Sequence, residues 1–325
     1  MHTPADLAVV PHRLLGEVMG LLKTLRAYGG LVPVAAAFAL LLWLPEAAAE
    51  GARAGLSLCA GVVVPSLLPF LILSGLAAAL GLPALLADKL APLWRLLRIP
   101  PACAAPLLLG LLGGYPVGAT ALAGLARSGA LSPEEAERAL PWCNNTGPGF
   151  IVGFAGAGVF GSVRAGLLLY LCHMLAALIL AFCGGTRRAE APVSPPFAGG
   201  MSLAEALPEC VRNASLNMLS ICAYVVFFSV LSSFLRAAGV SSPLVSGILE
   251  LSQGVSALRG KPASPCSAAL CSFLLGFGGL SVHCQTVCAV SGAGIKCARH
   301  FAGRILHGLI SALLAFPLFS MLPQI

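Results

Sequence analysis

The chain has 325 residues, 58% of them hydrophobic and only 10% charged, whereas a soluble domain carries about 25% charged residues. Mean hydropathy is +0.93, and an aqueous fold of this size has too much surface to hide that much apolar area, so lipid is the solvent for much of the chain. The formal net charge of +7 is scattered between apolar stretches, as in loops facing anionic lipid, without the basic stripe interleaved with aromatics that grips nucleic acid.

Residues 1–28 set Arg13, Lys23 and Arg26 around Leu14, Leu15, Val18, Leu21, Leu22 and Leu25. That spacing describes a basic amphipathic helix lying on the membrane, with its charge holding the N-terminus in the cytoplasm. A first span reads from 29 to 44 and a longer one from 54 to 80, interrupted by Pro65 and Pro69. Residues 83–101 carry Asp88, Lys89, Arg95 and Arg98, too many charges to cross, and are expected at the interface. The apolar run 103–113 covers only half a bilayer and stops at Gly113-Gly114-Tyr115-Pro116-Val117-Gly118, after which a short helix resumes over 119–126. Ser132, followed by Pro133, Glu134 and Glu135, is an N-cap signal. The helix it starts runs into Cys143-Asn144-Asn145-Thr146-Gly147-Pro148-Gly149, and a span follows over 165–182.

Residues 184–204, with several prolines and glycines, form a linker. Beyond it come a span at 216–235, a shorter segment at 244–257 containing Glu250, and a half-length run at 268–277. That run breaks at Gly276-Phe277-Gly278-Gly279-Leu280-Ser281, a helix resumes over 282–290, and a last span ends near 322. His173–Phe182 aligns without gaps to His307–Phe316, 134 residues on, and Gly113-Gly114 aligns to Gly278-Gly279, 165 residues on. The expected fold is all-α and polytopic: two inverted repeats, 29–183 and 205–325, each with a re-entrant, broken-helix hairpin, and about eight spans plus the hairpins. In the second half, Arg212, Arg259, Lys261, Lys296, Arg299 and Arg304 fit one cytoplasmic side if 266–295 enters and leaves on the same face; in the first half, Arg53, Arg95, Arg127 and Arg138 fit no single simple path.

A helix interrupted inside a membrane exposes N–H and C=O groups that lipid cannot satisfy, so it persists only where protein or a water-filled cavity meets it. Freed N-termini suit an anion. Two opposed breaks would build one solute site near the midplane: Gly113, Gly114, Tyr115, Pro116 and Gly118 from one, Gly278, Gly279, Ser281, His283 and Gln285 from the other. Asn144, Asn145, Thr146 and Gly147 form the densest uncharged polar cluster and are expected to contact the solute. Glu250, a carboxylate inside an apolar segment, is the expected coupling site for a proton or cation. His173 and His307 are read as packing or interfacial histidines. Twelve cysteines sit mostly in apolar stretches with no CxxC pair, as small hydrophobes rather than a disulfide scaffold or metal site. There is no P-loop, HExxH or GxSxG; no cofactor is expected. The tempting His283–Cys284 pair points about 100° apart on a helix, so an enzyme is not expected.

Gly-Gly-Tyr-Pro-Val-Gly-Ala, Ser-Pro-Glu-Glu-Ala-Glu-Arg, Cys-Asn-Asn-Thr-Gly-Pro-Gly-Phe-Ile, Ile-Leu-Glu-Leu-Ser-Gln-Gly and Gly-Phe-Gly-Gly-Leu-Ser-Val-His-Cys-Gln together resemble the YlbJ-type sporulation integral membrane proteins. The resemblance covers roughly residues 30–322. It implies two nucleoside-recognition (Gate) units, similar to parts of concentrative nucleoside transporters and ferrous-iron transporters, in a spore-forming Firmicute. It also implies dipicolinate as a solute during spore maturation. The expected function is a membrane carrier or facilitator of a small polar or anionic solute; the alternative is a non-transporting scaffold for spore assembly. The expected partners are the solute and the bilayer, with no nucleic acid. The helix-packing glycines suit a homo-oligomer and a monomer equally.

Overall fold

The computed structural model describes residues 28–184 and 202–321. The amphipathic N-terminal segment and most of the linker lie outside the described residues. Every regular element described is helical: α1 Leu31–Trp43; α2 Pro45–Ala79; α3 Leu82–Lys89; α4 Ala91–Leu96; α5 Pro101–Gly113; α6 Val117–Arg127; α7 Pro133–Cys143; a π-helical segment Gly149–Val159; α8 Val163–Gly184; α9 Leu203–Ala237; α10 Pro243–Leu249; α11 Leu251–Ser256; α12 Pro265–Phe277; α13 Gly279–Ala289; and α14 Ala298–Ser320.

Five units are long and apolar enough to cross a membrane: α2, α8, α9, the α12–α13 pair taken together, and α14. With the apolar sequence, these make the chain a multi-pass integral membrane protein. The expected first span falls short, since α1 has 13 residues and none of them is buried. The second span runs through Pro65 as one unit of 35 residues, with a π-turn at Cys59–Val63 just before the proline. A π-turn widens the helix and absorbs the missing proline donor without ending it. The other 35-residue helix, α9, starts well before residue 216 with a Ser202–Glu205 capping box, which satisfies its free N-terminal donors.

α2 and α9 lie side by side. Gly51 and Gly55 make this possible: a Cβ on either would come within 2.8 Å of the α9 backbone at Val230 or Val226. α8, α12 and α14 form the other half of the core, with α14 packed closely on α12. There Gly276 meets Gly308, and a Cβ on Gly276 would lie 2.5 Å from the Gly308 Cα. Small residues at such contacts let backbones approach and gain dispersion where lipid gives no hydrophobic drive. α3 and α4 pack on α5, where the Trp94 indole donates to the Ala87 carbonyl at 2.9 Å.

Two expectations fail here. The segment 244–257 is not one helix: Glu250 is extended (φ −142°, ψ 117°) and separates α10 from α11. Also, 266–295 is not a hairpin. α12 and α13 diverge from the bend at Gly278 with little contact between them, so the pair reads as one broken unit of 25 residues.

Candidate functional site

Four interruptions of helical structure meet in the middle of the molecule. The first joins α5 to α6 through Gly114 (φ 78°) and a cis Tyr115–Pro116 bond. The second is the stretch Asn144–Pro148 between α7 and the π segment. Glu250 is the third, and Gly278–Gly279, both with positive φ, is the fourth. α7 reaches the second break because Ser132 and Glu135 cap its start reciprocally. The Ser132 N–H and hydroxyl donate to the Glu135 carboxylate at 2.9 and 2.8 Å.

The breaks touch one another through backbone. A Cβ on Gly114 would lie 2.9 Å from the Gly147 nitrogen, and one on Gly279 would lie 2.9 Å from the Gly247 carbonyl oxygen and 3.0 Å from the Leu251 nitrogen. The Thr146 hydroxyl donates to the Leu275 carbonyl at 2.9 Å. The Asn144 amide donates to Thr286 Oγ1 at 2.8 Å, and the Asn145 amide donates to the Trp142 carbonyl at 2.8 Å.

Arg304 of α14 ties these pieces together and is fully buried. Its Nη1 donates to the Pro141 carbonyl (3.2 Å), Asn145 Oδ1 (3.4 Å) and His307 Nδ1 (2.7 Å). Its Nη2 donates to the Tyr115 hydroxyl and, at 3.4 Å, to the Leu275 carbonyl. An arginine has only donors, so His307 accepts at Nδ1 and donates from Nε2 to the His173 carbonyl at 3.1 Å. His173 Nε2 in turn accepts from the Thr146 N–H at 3.2 Å, and the two imidazoles lie 4.4 Å apart. Among the described residues, no carboxylate lies within ion-pair distance of Arg304, and its Nε is buried without a partner. Neutral oxygens and a tyrosine hydroxyl solvate the charge, a costly arrangement inside a membrane.

Beside this knot is a cavity of about 40 Å³, room for a few waters and no more. Its polar wall is Tyr115, Thr146, Glu250, Ser252 and Gln285, with Gly147 exposing backbone; Leu67, Phe150 and Val282 are among its apolar neighbours. Glu250 is 1% exposed, and its carboxylate accepts the Gln253 N–H at 2.7 Å as the cap of α11. The N-termini of α6 and α13, beside Tyr115 and Gly278, have no side-chain cap.

Of the residues singled out in the sequence, Tyr115, Thr146, Gly147, Glu250 and Gln285 line the cavity. Gly113, Gly114, Gly118, Gly278 and Gly279 shape the breaks. Gly113 packs on Ser74, and Gly118 packs on the Cys143 carbonyl. Pro116 accepts from Thr120 through its carbonyl. Asn144 and Asn145 bind neighbouring helices, and Ser281 is buried with a free hydroxyl. His283 is not at the cavity; it lies among Phe277, His300 and Phe301, stacked 4.2 Å from the Phe301 ring.

Sequence reading missed Arg304 and placed it among cytoplasmic charges. The signal was available: His300, Arg304 and His307 share one helix face at i, i+4 and i+7, inside an apolar run. Ser252 and Phe150 carried no such signal. His173 and His307, read as packing residues, stand at the centre of the network.

No family model matches the chain, and no solved structure matches it. The sporulation integral membrane protein YlbJ of Bacillus subtilis (strain 168) is 28% identical over 312 residues, covering 82% of this chain and 76% of that protein. The chain is a multi-pass membrane protein and a distant homologue of that sporulation protein.

Proposed function

We propose that the chain is a carrier or facilitator of a small polar or anionic solute, built from two inverted repeats around the central cavity. The observation that carries the reading is the convergence of four helix breaks on one buried polar cavity. Backbone interruptions at membrane depth are tolerated only where they line such a space, and paired broken helices at a repeat interface are the recurring construction of secondary transporters.

The repeat reading rests on one separation. His307 follows His173 by 134 residues. The same step takes Asn144–Asn145 to Gly278–Gly279 and Gly113–Pro116 to Gly247–Glu250. It therefore maps break onto break, the ends of α7 onto α12, and α8 onto α14. This correspondence pairs the breaks differently from the 165-residue match between the two Gly-Gly pairs. On this reading the α5–α6 hairpin returns on itself, and the α7–π pair, though not among the five units long and apolar enough to cross, spans together with α2 and α8. Three crossings per unit bring the second unit in from the opposite face.

The uncapped N-termini of α6 and α13 direct partial positive charge towards the cavity, and Arg304 polarises the Tyr115 hydroxyl at its wall. Both favour an anion. Dipicolinate, a planar dianion, is the solute that kinship with a sporulation protein puts first. Glu250 faces the same space and would repel an anion unless it carried a proton or a cation, which gives it the coupling role. A cavity of about 40 Å³ is too small for such a solute, so the conformation described is an occluded one.

Uptake of labelled dipicolinate into proteoliposomes tests the reading. The unsubstituted protein is expected to take it up, Asn145→Ala to slow it, and Glu250→Gln to abolish the dependence of uptake on a proton or sodium gradient. No uptake by the unsubstituted protein under any gradient would leave a membrane scaffold as the better account.

A further inference from the structure

We infer that the solute reaches the central cavity through a lateral crevice between α2 and the π-helical segment Gly149–Val159, with Phe150 as the gate between them. This rests on the carrier reading and adds a route to it. The crevice measures about 680 Å³ and is bounded by Ser66 and Phe70 of α2, by Gly149 and Gly153 of the π segment, and by Arg259. A volume of that size suits a small organic ligand. Arg259 is exposed; a charged side chain there marks the watery end of the crevice and gives an anion a first contact.

One layer of residues divides the crevice from the cavity. On α2, Val62 and Ser66 face the crevice, whereas Val63 and Leu67 face the cavity. Across from them Pro148 and Gly149 face the crevice, whereas Gly147 and Phe150 face the cavity. The partition closes where Gly149 meets α2: a Cβ there would lie 2.1 Å from the Ser66 carbonyl oxygen and 2.6 Å from the Phe70 ring. Phe150 is 3% exposed and rests 5.0 Å from the Phe154 ring.

Both π-helical stretches of the described residues, Cys59–Val63 and Gly149–Val159, flank this partition. π-turns are rare and concentrate at functional sites. Cys59–Val63 is a single π-turn holding one residue more than an α-turn, so relaxing it to α turns the side chains beyond it by about 100° about the helix axis; Gly149–Val159 is a longer π stretch. Such a shift would turn Val63 and Leu67, the α2 side of the partition that Phe150 closes, without unfolding the helix. In the second half, α9 and α13 pack against each other.

The test uses the full-length protein bearing Ser252→Cys, at the cavity wall, treated with a negatively charged methanethiosulfonate. Labelling at position 252 is read by peptide mass spectrometry, which separates it from the native cysteines. A Cβ on Gly153 meets nothing within 4 Å, so the side chain of Gly153→Trp starts in open space at the crevice wall. Gly124, equally open but on α6, supplies the control Gly124→Trp. Each variant must elute and melt like the unsubstituted protein. The charged reagent is expected to label position 252, about tenfold more slowly with Gly153→Trp, at the original rate with Gly124→Trp, and faster with Phe150→Ala.

Labelling unaffected by Gly153→Trp, or no labelling at all, would overturn the route. Reaction with a lipid-soluble maleimide but not with the charged reagent would also overturn it, making the crevice a seat for a lipid chain. Dipicolinate uptake separates the two ideas: uptake that survives Gly153→Trp sinks the route and leaves the carrier standing. Failure of the unsubstituted protein to take up dipicolinate, with labelling still blocked by Gly153→Trp, sinks that solute and leaves the route.

Discussion

At Gly113–Pro116 the chain doubles back, whereas at Phe277–Gly279 it only bends. In the first case α5 and α6 lie against each other, and the Cys143 carbonyl at the end of α7 is wedged between them: a Cβ would lie 1.7 Å from its oxygen at Gly110 and 1.9 Å at Gly118. Backbone meets backbone on three sides, and no side-chain rotation could make room. In the second case α12 and α13 part, and a Cβ on Gly278 would have the Tyr115 hydroxyl as its nearest neighbour, 3.1 Å away. The two Gly-Gly breaks look alike as text, yet the first is a hairpin clamped on the Cys143 carbonyl, whereas the second is a bend that meets a side chain at Gly278 and the backbone of Gly247 and Leu251 at Gly279. A site built from both has a rigid half and a half that can yield.

The difference is sharpest for a single added methyl. Gly118→Ala has no conformation free of the Cys143 carbonyl, so α7 and the Asn-Asn-Thr loop must move. The expected loss is about 3 kcal/mol, the upper end for forced backbone shifts in a packed interior, seen as a collapsed melting transition in detergent. A Gly118→Ala protein that melts like the unsubstituted one would mean the hairpin is as compliant as the bend. Tyr115→Phe comes next. It removes the hydroxyl that joins the first break to Arg304 while keeping the ring. The expected cost is about 2 kcal/mol, as for a hydrogen bond to a charged group. An unchanged melting temperature would show that the remaining acceptors around Arg304 suffice to hold the two breaks together.

The lipid-facing architecture was legible because hydropathy and length report directly on crossing the bilayer. The stop at Gly113, the Ser132 cap and the break at Gly278 were legible because each needs a residue type that nothing else there requires. Two features were not. Glu250 is a break with no glycine or proline at it. Its own carboxylate caps α11 across the interruption, and a side-chain hydrogen bond of that kind leaves no periodicity to read. Arg304 was assigned to a loop-facing surface because an arginine is cheap at an interface and costly inside. Only tertiary structure supplies the carbonyls of Pro141 and Leu275, the Asn145 amide oxygen and the Tyr115 hydroxyl that offset its burial. The central cavity was anticipated through Tyr115, Thr146, Gly147, Glu250 and Gln285. His283 lies away from the cavity, because depth in an apolar segment says nothing about which face of the helix lines it.

The smallest expected effect is the one that probes the contact between the breaks. Gly278→Ala should cost about 1 kcal/mol, the low end for a residue with a Cβ held in the left-handed region, plus whatever is needed to displace the Tyr115 hydroxyl. If that hydroxyl is the obstacle, the cost should shrink in a Tyr115→Phe background, because the atom nearest the new methyl is gone. Groups in contact are expected to show such non-additivity, and separate groups are not. A thermal-shift cycle over the four proteins measures it. Strict additivity would mean that the two breaks do not bear on each other through Tyr115, and the bend would then be held by its other contacts, Gly276 on Gly308 and Gly279 on the backbone of Gly247 and Leu251.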